Sequence, residues 1–187
     1  HCSGCHGHDL TGLSLIDAEG HDVNIFDDWQ ISMMAFAARD PFWRATVAHE
    51  VHLYPSAQEE IEGTCLRCHS SLGLRQALHN GEDYSFSKML TDSLGLDGVS
   101  CGSCHQQPEE RLGKFHSGHF LLDTNRIMFG PYPDPLVGPM QLYVGFEPVF
   151  GEHIFSSGIC AGCHTLVTGT LDDSGTPTGN FFVEQAT

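Results

Sequence analysis

The five residues CSGCH at positions 2–6 place two cysteines and a histidine almost at the start of the chain. The same arrangement, Cys-x-x-Cys-His, occurs three more times, and each of the eight cysteines belongs to one of the four copies. No cysteine is left over, so the arrangement of the pairs decides how the chain is interpreted. In chain order, motifs 1 to 4 are CSGCH at 2–6, CLRCH at 65–69, CGSCH at 101–105 and CAGCH at 160–164.

Cys-x-x-Cys-His is the attachment signature of c-type haem. Two thioether bonds fix the vinyl edges of the porphyrin, and the adjacent histidine is then aimed at the iron from the proximal side. The sequence therefore predicts four covalent haems c. The predicted thioether residues are Cys2, Cys5, Cys65, Cys68, Cys101, Cys104, Cys160 and Cys163, and the predicted proximal ligands are His6, His69, His105 and His164.

Three other uses of paired cysteines compete with haem as an explanation of the pattern. Structural zinc sites contain Cys-x-x-Cys pairs, but zinc chemistry does not require histidine directly after the second cysteine each time. A thioredoxin-like function needs one pair near a βαβ pattern, which the sequence does not display. A disulfide framework would use eight cysteines but would leave four histidines at one offset unexplained.

The composition indicates one domain, residues 1–187, with a small conventional core. Apolar residues make up 40% of the chain and charged residues 17%, while Gly (21) and Pro (9) are plentiful. The net charge of −16 argues against binding to nucleic acid or to an anionic membrane surface. It favours basic redox partners or other cytochromes. No apolar run approaches the roughly 20 residues of a membrane span.

The predicted fold is mainly α-helical with extensive loops and little sheet, in a haem-packed architecture of the multihaem cytochrome c type. Four macrocycles would replace the missing aliphatic core. Proline-rich GPYPDPLVGP (130–139) predicts an extended loop, and GTLDDSGTPTGN (169–180) an exposed turn region. Helices are predicted at 28–39 with Asp27 or Asp28 as cap, from 41 to about 53 after Asp40-Pro41, at 57–69, and at 83–94.

The chain resembles the multihaem c-type cytochromes of bacteria. The four motifs span nearly its whole length, and three flanking stretches look like segments of those proteins: DDWQISMMAFAARDPFWRA (27–45), DGVSCGSCH (97–105) and HIFSSGICAGCH (153–164). The resemblance implies electron carriers or wires, some of which form extracellular filaments, and in a minority of cases enzymes acting on small nitrogen or sulfur compounds.

The sixth iron ligands are expected among the remaining histidines. His49 and His52 lie three residues apart on one predicted helix, and HSGH contributes His116 and His119. The leading candidates are His52, His116, His119 and His153. His49 and Met34 are less favoured as ligands. In the case of Met34, a methionine in a helix usually fills core space. His8, His21 and His79 lie in polar loops. His1 is the last of the histidines that are not assigned as proximal ligands.

The predicted function is electron transfer through four haems, as an exported carrier or as a subunit of an extracellular wire, and no catalytic residue is assigned. Haem c attachment places the mature protein in the periplasm or outside the cell. Because only His1 precedes motif 1, we expect later residues, a second copy or a preceding segment to cover the first haem.

The alternative is a multihaem oxidoreductase with one five-coordinate haem acting on a small nitrogen or sulfur compound. Its distal pocket would draw on ordinary polar residues such as Arg111, Lys114, Tyr132 and Tyr143. The acidic stretch DAEGHD (17–22) offers oxygen ligands of the kind that calcium binds, but lacks the EF-hand pattern. We interpret its carboxylates as solvated surface.

Overall fold

The computed structural model describes residues 2–186. Helix is the dominant element, at about 46% of the chain, and the strands form short two-stranded sheets, so the fold is mixed α/β with a helical majority. Between the α-helices lie single turns of 3-10 helix. The α-helices are α1 (Ser3–His6), α2 (Ile25–Gln30), α3 (Met33–Phe36), α4 (Pro41–Leu53), α5 (Gln58–His69), α6 (Ser71–His79), α7 (Phe86–Met89), α8 (Cys101–His105), α9 (Val137–Val144) and α10 (Gly158–His164).

The predicted helix over 28–39 is divided into α2 and α3. The Asn24 side chain accepts a hydrogen bond from the Asp27 amide, so α2 begins earlier than expected. Ser32 then caps α3 by accepting from the Ala35 amide. A serine that satisfies free amides at a new helix start competes with continuation of the preceding helix. The prediction of one continuous helix here is therefore wrong.

The two helices predicted next along the chain are confirmed. The Asp40 carboxylate accepts from the Phe42 amide at 2.8 Å, Pro41 occupies the first helical turn, and α4 ends at Leu53. The second predicted helix corresponds to α5, which carries motif 2 at its C-terminal end. Both begin within one residue of the predicted start. The Asp40 cap and Pro41 fix this boundary for α4, whereas Ala57 at the start of α5 makes no side-chain cap. By contrast, the helix predicted over 83–94 is reduced to α7.

Two pairs of strands complete the fold. Strands β1 (Ile127–Gly130) and β2 (Glu147–Phe150) pair in parallel, with α9 in the connection between them. Pro139 lies in the first turn of α9, where its missing N–H is tolerated, so the predicted loop over 130–139 extends only to Leu136. Strands β3 (Leu166–Leu171) and β4 (Pro177–Gln185) form an antiparallel hairpin.

The largest buried cluster is small and surrounds the helix that carries motif 2. It contains Ala38, Leu66, Leu74 and Met89. Trp43, Tyr84 and Phe86 pack against this cluster from its edge. The Tyr84 hydroxyl donates to the Asp92 carboxylate at 2.7 Å. Motif 2 is therefore the motif whose surroundings are best ordered by ordinary core packing.

The chain exposes far more surface than a compact protein of its size. Its accessible area is 11771 Å², whereas a compact monomer of 20.5 kDa exposes about 8,900 Å². Much of the surplus is apolar: Leu10 is 92% exposed, Leu136 83% and Phe42 79%. Surface of this kind indicates a protein that packs against additional apolar material.

Candidate functional site

Each of the four motifs adopts the same local structure. In every copy the motif histidine is the last residue of a helix: His6 ends α1, His69 ends α5, His105 ends α8 and His164 ends α10. The two cysteines of a copy are three residues apart, which is close to one helical turn, so their side chains lie on the same face. Both thiols and the imidazole are thus presented from a single turn of backbone.

Two of the motif histidines are oriented by backbone carbonyls. His69 Nδ1 donates to the carbonyl of Ala37 at 2.8 Å, and His105 Nδ1 donates to the carbonyl of Phe129 at 2.6 Å. A proton on Nδ1 leaves the lone pair on Nε2, which is the atom that binds a metal in this tautomer. Burial lowers the pKa of His69, which favours the same neutral form. At motif 4, His164 Nδ1 lies 3.5 Å from the side-chain nitrogen of Gln185.

Two pairs of cysteine thiols interact across motifs. All eight cysteines are free thiols. The Cys101 thiol donates to the Cys2 sulfur, which lowers the pKa of Cys2 to about 6, and the Cys163 thiol donates to Cys68. Burial raises the pKa of Cys65 to about 11. The structure thus brings motif 1 to motif 3 and motif 2 to motif 4.

The HSGH segment (116–119) lies between motifs 2 and 4. Its Gly118 amide donates to the carbonyl of Gly162 at 2.8 Å, inside motif 4. A Cβ on Gly118 would lie 3.1 Å from the Cys68 sulfur of motif 2, and the φ of +75° at this residue also favours glycine. The backbone of this segment therefore lies between motifs 2 and 4, which are far apart in sequence, and contacts both.

The partly buried side chain of Arg75 binds the backbone of the HSGH segment and of Phe120 beside it. Arg75 Nη2 donates to the carbonyls of Gly118 and Phe120 at 2.7 and 2.6 Å. Its Nε is buried and, among the described residues, has no hydrogen-bond acceptor. A guanidinium nitrogen in that state favours an additional anionic partner. Sequence reasoning missed Arg75, because an arginine on a helix gives no signal of burial.

The two HSGH histidines differ in whether the Nε2 lone pair already has a hydrogen-bond donor. The Ser117 hydroxyl donates to the carbonyl of Val167 at 2.7 Å, so it accepts from His116 Nδ1 at 3.0 Å. Within residues 2–186, the Nε2 lone pair of His116 is therefore left without a hydrogen-bond donor. His119 Nε2 instead accepts from Arg67 Nη1 at 2.7 Å. Desolvation, followed by the charge of Arg67, lowers the pKa of His119.

His153 is the most buried of the proposed distal ligands, with 6% of its surface exposed. Its Nε2 donates to the carbonyl of Gln107 at 2.9 Å, and its Nδ1 faces Gly151. Coordination through Nε2 would require this hydrogen bond to break. An open cleft of about 480 Å³ borders His153 and is lined by Glu109, Leu112 and Glu152, among others.

The remaining ligand candidates lie on the surface. His49 and His52 are exposed on α4, and Met34 on α3 is 48% exposed. His79 is exposed at the end of α6. The last candidate, His1, lies outside the described residues.

Two loop histidines are paired with carboxylates of the 17–22 stretch. His8 Nδ1 bonds to Asp22, and His21 Nδ1 bonds to Asp17 at 3.0 Å. The hydrogen bond from His8 lowers the pKa of Asp22, and the backbone amide of His21 lowers that of Asp17. Within residues 2–186, no cluster of three or more His, Cys, Asp or Glu side chains is arranged to hold a metal ion.

The four residues named for an oxidoreductase pocket, Arg111, Lys114, Tyr132 and Tyr143, are all exposed. Tyr132 and Tyr143 are each 75% exposed. The Arg111 guanidinium lies over the ring of Phe115, 5.7 Å from its centroid. In the part of the chain that the structure describes, no helix is long and apolar enough to cross a bilayer.

No protein-family model, curated protein or solved structure matches this chain. Its functional interpretation therefore depends on the four motifs and on the geometry around them.

Proposed function

We propose that this chain is an electron-transfer protein that carries four covalently attached haems c, one at each motif. The observation that carries the proposal is the four-fold recurrence of Cys-x-x-Cys-His with no cysteine outside it. Each copy ends a helix at its histidine, so the local backbone presents two thiols and an imidazole together. When bound, haem supplies an iron that is oxidised and reduced by one electron.

The donor set suits this group. The Nδ1 hydrogen bonds of His69 and His105 to backbone carbonyls direct Nε2 outward as a metal ligand. Haem propionates are anionic, and the buried Nε of Arg75 would pair with one. Large apolar discs would also cover the exposed side chains that enlarge the accessible surface to 11771 Å².

Six-coordinate irons suit a carrier, because they offer no vacant position to a substrate. The HSGH segment supplies the strongest candidate for a sixth ligand in His116, whose Nε2 lone pair is free. The chain's own residues tune each site through burial and charge. Asp and Glu outnumber Lys and Arg by 24 to 8, which stabilises the more positive oxidised haem and lowers the potentials.

The acidic surface also favours basic redox partners or other cytochromes, with association that weakens as salt rises. Haem attachment implies export to the periplasm or the cell exterior. Self-association into a filament is a variant of the same proposal, and size-exclusion chromatography of the haem-loaded chain against concentration tests it.

The proposal is tested by expressing the chain with a periplasmic haem c maturation system. We expect a mass increase of four haems and a pyridine haemochrome value of four per chain. Replacing both cysteines of one motif by alanine should reduce the value to three, while the control His79→Ala should retain four. A wild-type chain that remains free of haem would refute the proposal.

A carbon monoxide titration of the ferrous protein separates the carrier from the oxidoreductase. Six-coordinate haems leave the Soret band unchanged, which supports the carrier. A shift of about one quarter of the Soret intensity would identify one five-coordinate haem and favour the enzyme.

A further inference from the structure

The imidazole of His153 is buried beside motif 3. It belongs to the single 3-10 turn Glu152–Phe155, directly after β2, and only 6% of the residue is exposed. Its Nε2 donates to the carbonyl of Gln107 at 2.9 Å, and Gln107 lies two residues beyond the motif 3 histidine. Because Nε2 carries the proton of this hydrogen bond, it has no lone pair to give to a metal.

The same imidazole contacts the residue that orients His105. The rings of Phe129 and His153 meet edge to face, with centroids 4.8 Å apart and 69° between the planes. The backbone carbonyl of Phe129 accepts from His105 Nδ1 at 2.6 Å. His153 therefore supports His105 from two directions, through the ring of Phe129 and through the backbone carbonyl of Gln107.

Gly151 allows the imidazole to approach this closely. Its amide donates to the carbonyl of Gly130 at 2.9 Å, which extends the pairing of β1 and β2 by one hydrogen bond. A Cβ on Gly151 would lie 2.6 Å from Cε1 of His153 and 3.0 Å from the Cβ of Phe129. Because the imidazole ring is rigid, a side chain at this position would displace it.

The carbonyl that accepts from His153 is itself held in place. The side-chain amide of Gln107 donates to the carbonyl of Ser103 at 2.8 Å and to the carbonyl of Ile159 at 3.2 Å. Gln107 is 5% exposed, so these bonds are shielded from competing water. His153 is thus bonded to a fixed point of the backbone next to motif 3.

We propose that His153 is a positioning residue for His105, the proximal ligand of motif 3, and is not a sixth iron ligand. This inference rests on the proposed function, because it concerns the haem bound at motif 3. By holding Phe129 in place, His153 keeps the Phe129 carbonyl on His105 Nδ1. That hydrogen bond makes the imidazole of His105 a more basic ligand, which stabilises ferric haem and lowers its potential.

The first test is His153→Ala in the haem-loaded protein, measured by redox titration and low-temperature EPR. Loss of both contacts weakens the bond between His105 and Phe129, so the potential of one haem should rise and its ferric EPR signal should shift. The number of low-spin haems should stay as in the wild type. A new high-spin signal with carbon monoxide binding would make His153 an iron ligand and overturn the inference. Four unchanged potentials would overturn it as well.

Three further variants separate positioning from a general loss of stability. His153→Gln places an amide nitrogen near the position of Nε2 and should restore part of the potential. Gly151→Ala displaces the ring and should raise the potential of the same haem although His153 is present. The control is Ser157→Ala, at an exposed position whose side chain makes no cap, and it should leave all four potentials unchanged. An unchanged potential in Gly151→Ala would contradict the inference.

A measurement on the wild-type protein needs no substitution. In the fully reduced protein, the ring current of a macrocycle shifts the ring protons of an axial histidine far upfield. The ring protons of His153, identified by nuclear Overhauser effects to Phe129, should stay in the ordinary aromatic range, and upfield positions would overturn the inference. The haem content, measured first, separates the two failures: no haem refutes the proposed function, whereas four haems with an axial His153 refute the positioning role alone.

Discussion

The indole ring of Trp43 lies parallel to the imidazole of His69, with ring centroids 4.2 Å apart and 3° between the planes. The same imidazole donates from Nδ1 to the carbonyl of Ala37. Trp43 also packs against Phe86 at the edge of the buried cluster. The orientation of the motif 2 histidine is therefore set by one stacking contact and one hydrogen bond.

Replacing Trp43 with leucine should change the redox potential of one haem of the four. An aromatic pair contributes about 0.5–1.5 kcal/mol, which corresponds to roughly 20–60 mV for a one-electron couple. We expect a shift within this range and an altered EPR signal for the same haem, with Trp43→Phe restoring most of the wild-type value. Thr46→Ser, at an exposed polar position of the same helix, is the control. Four unchanged potentials in Trp43→Leu would show that the stack does not tune the site.

His116→Ala should convert one low-spin haem into a five-coordinate, high-spin haem. The reason is the free Nε2 lone pair of His116, since its Nδ1 proton is bonded to Ser117. The measurements are the high-spin EPR signal and carbon monoxide binding to the ferrous variant. His79→Ala should leave every haem low-spin, and an entirely low-spin His116→Ala protein would exclude His116 as a ligand.

The hydroxyl pair of Ser71 and Ser103 should display strong non-additivity. These side chains are 0% and 2% exposed, so either alanine variant leaves a buried hydroxyl without its partner. Each single variant should lose about 1–3 kcal/mol of unfolding free energy, and the double variant less than the sum of the two. Urea unfolding of the haem-loaded proteins measures the cycle. Additive losses would mean that the hydrogen bond contributes no coupling.

Gly162→Ala should destabilise the protein even though alanine favours a helix. The new Cβ would lie 2.8 Å from the Cβ of Phe120, which is buried. Overpacking of this kind costs about 1–3 kcal/mol. Gly63→Ala is the matched control, because Gly63 is also helical and its Cβ would meet nothing within 4 Å. We expect Gly63→Ala to gain about 0.5–1 kcal/mol, and equal unfolding free energies for the two variants would contradict the packing argument.

The turn between β3 and β4 should be weakened by acid. The Ser174 hydroxyl, together with the amides of Thr176 and Ser174, lowers the pKa of Asp172 below its ordinary value. A carboxylate with a lowered folded pKa stabilises the turn fully above the unfolded pKa of about 3.9, and this contribution is lost as the pH falls through the folded value.

Carboxyl chemical shifts and hydrogen exchange at the Thr176 amide measure this transition. Asp172→Asn should increase exchange at neutral pH. Asp173→Asn should not, since in the described part of the chain the Asp173 carboxylate accepts no hydrogen bond. Identical exchange in Asp172→Asn and wild type would count against the turn mechanism.

Much of the local structure was predictable because it depends on neighbouring residues. Asp40-Pro41 marks the start of α4, and the motif 2 helix begins within one residue of its predicted position. The hairpin of β3 and β4 was not predicted, because only pairing between the two strands makes Leu166–Leu171 extended. Pro139 suggested a loop, although the first turn of α9 accommodates it.

The sequence by itself determined the chemistry of this protein: four sets of two thiols and one imidazole, each confined to five residues. Only the tertiary structure decided which motifs meet and which ring nitrogens stay free. Motif starts separated by 63, 36 and 59 residues do not indicate that Cys101 meets Cys2 or that Cys163 meets Cys68. Likewise, the carbonyl of Ala37 reaches His69 only because the packing of separate helices brings distant backbone together. A short motif encodes its own geometry, whereas its neighbours depend on long-range packing.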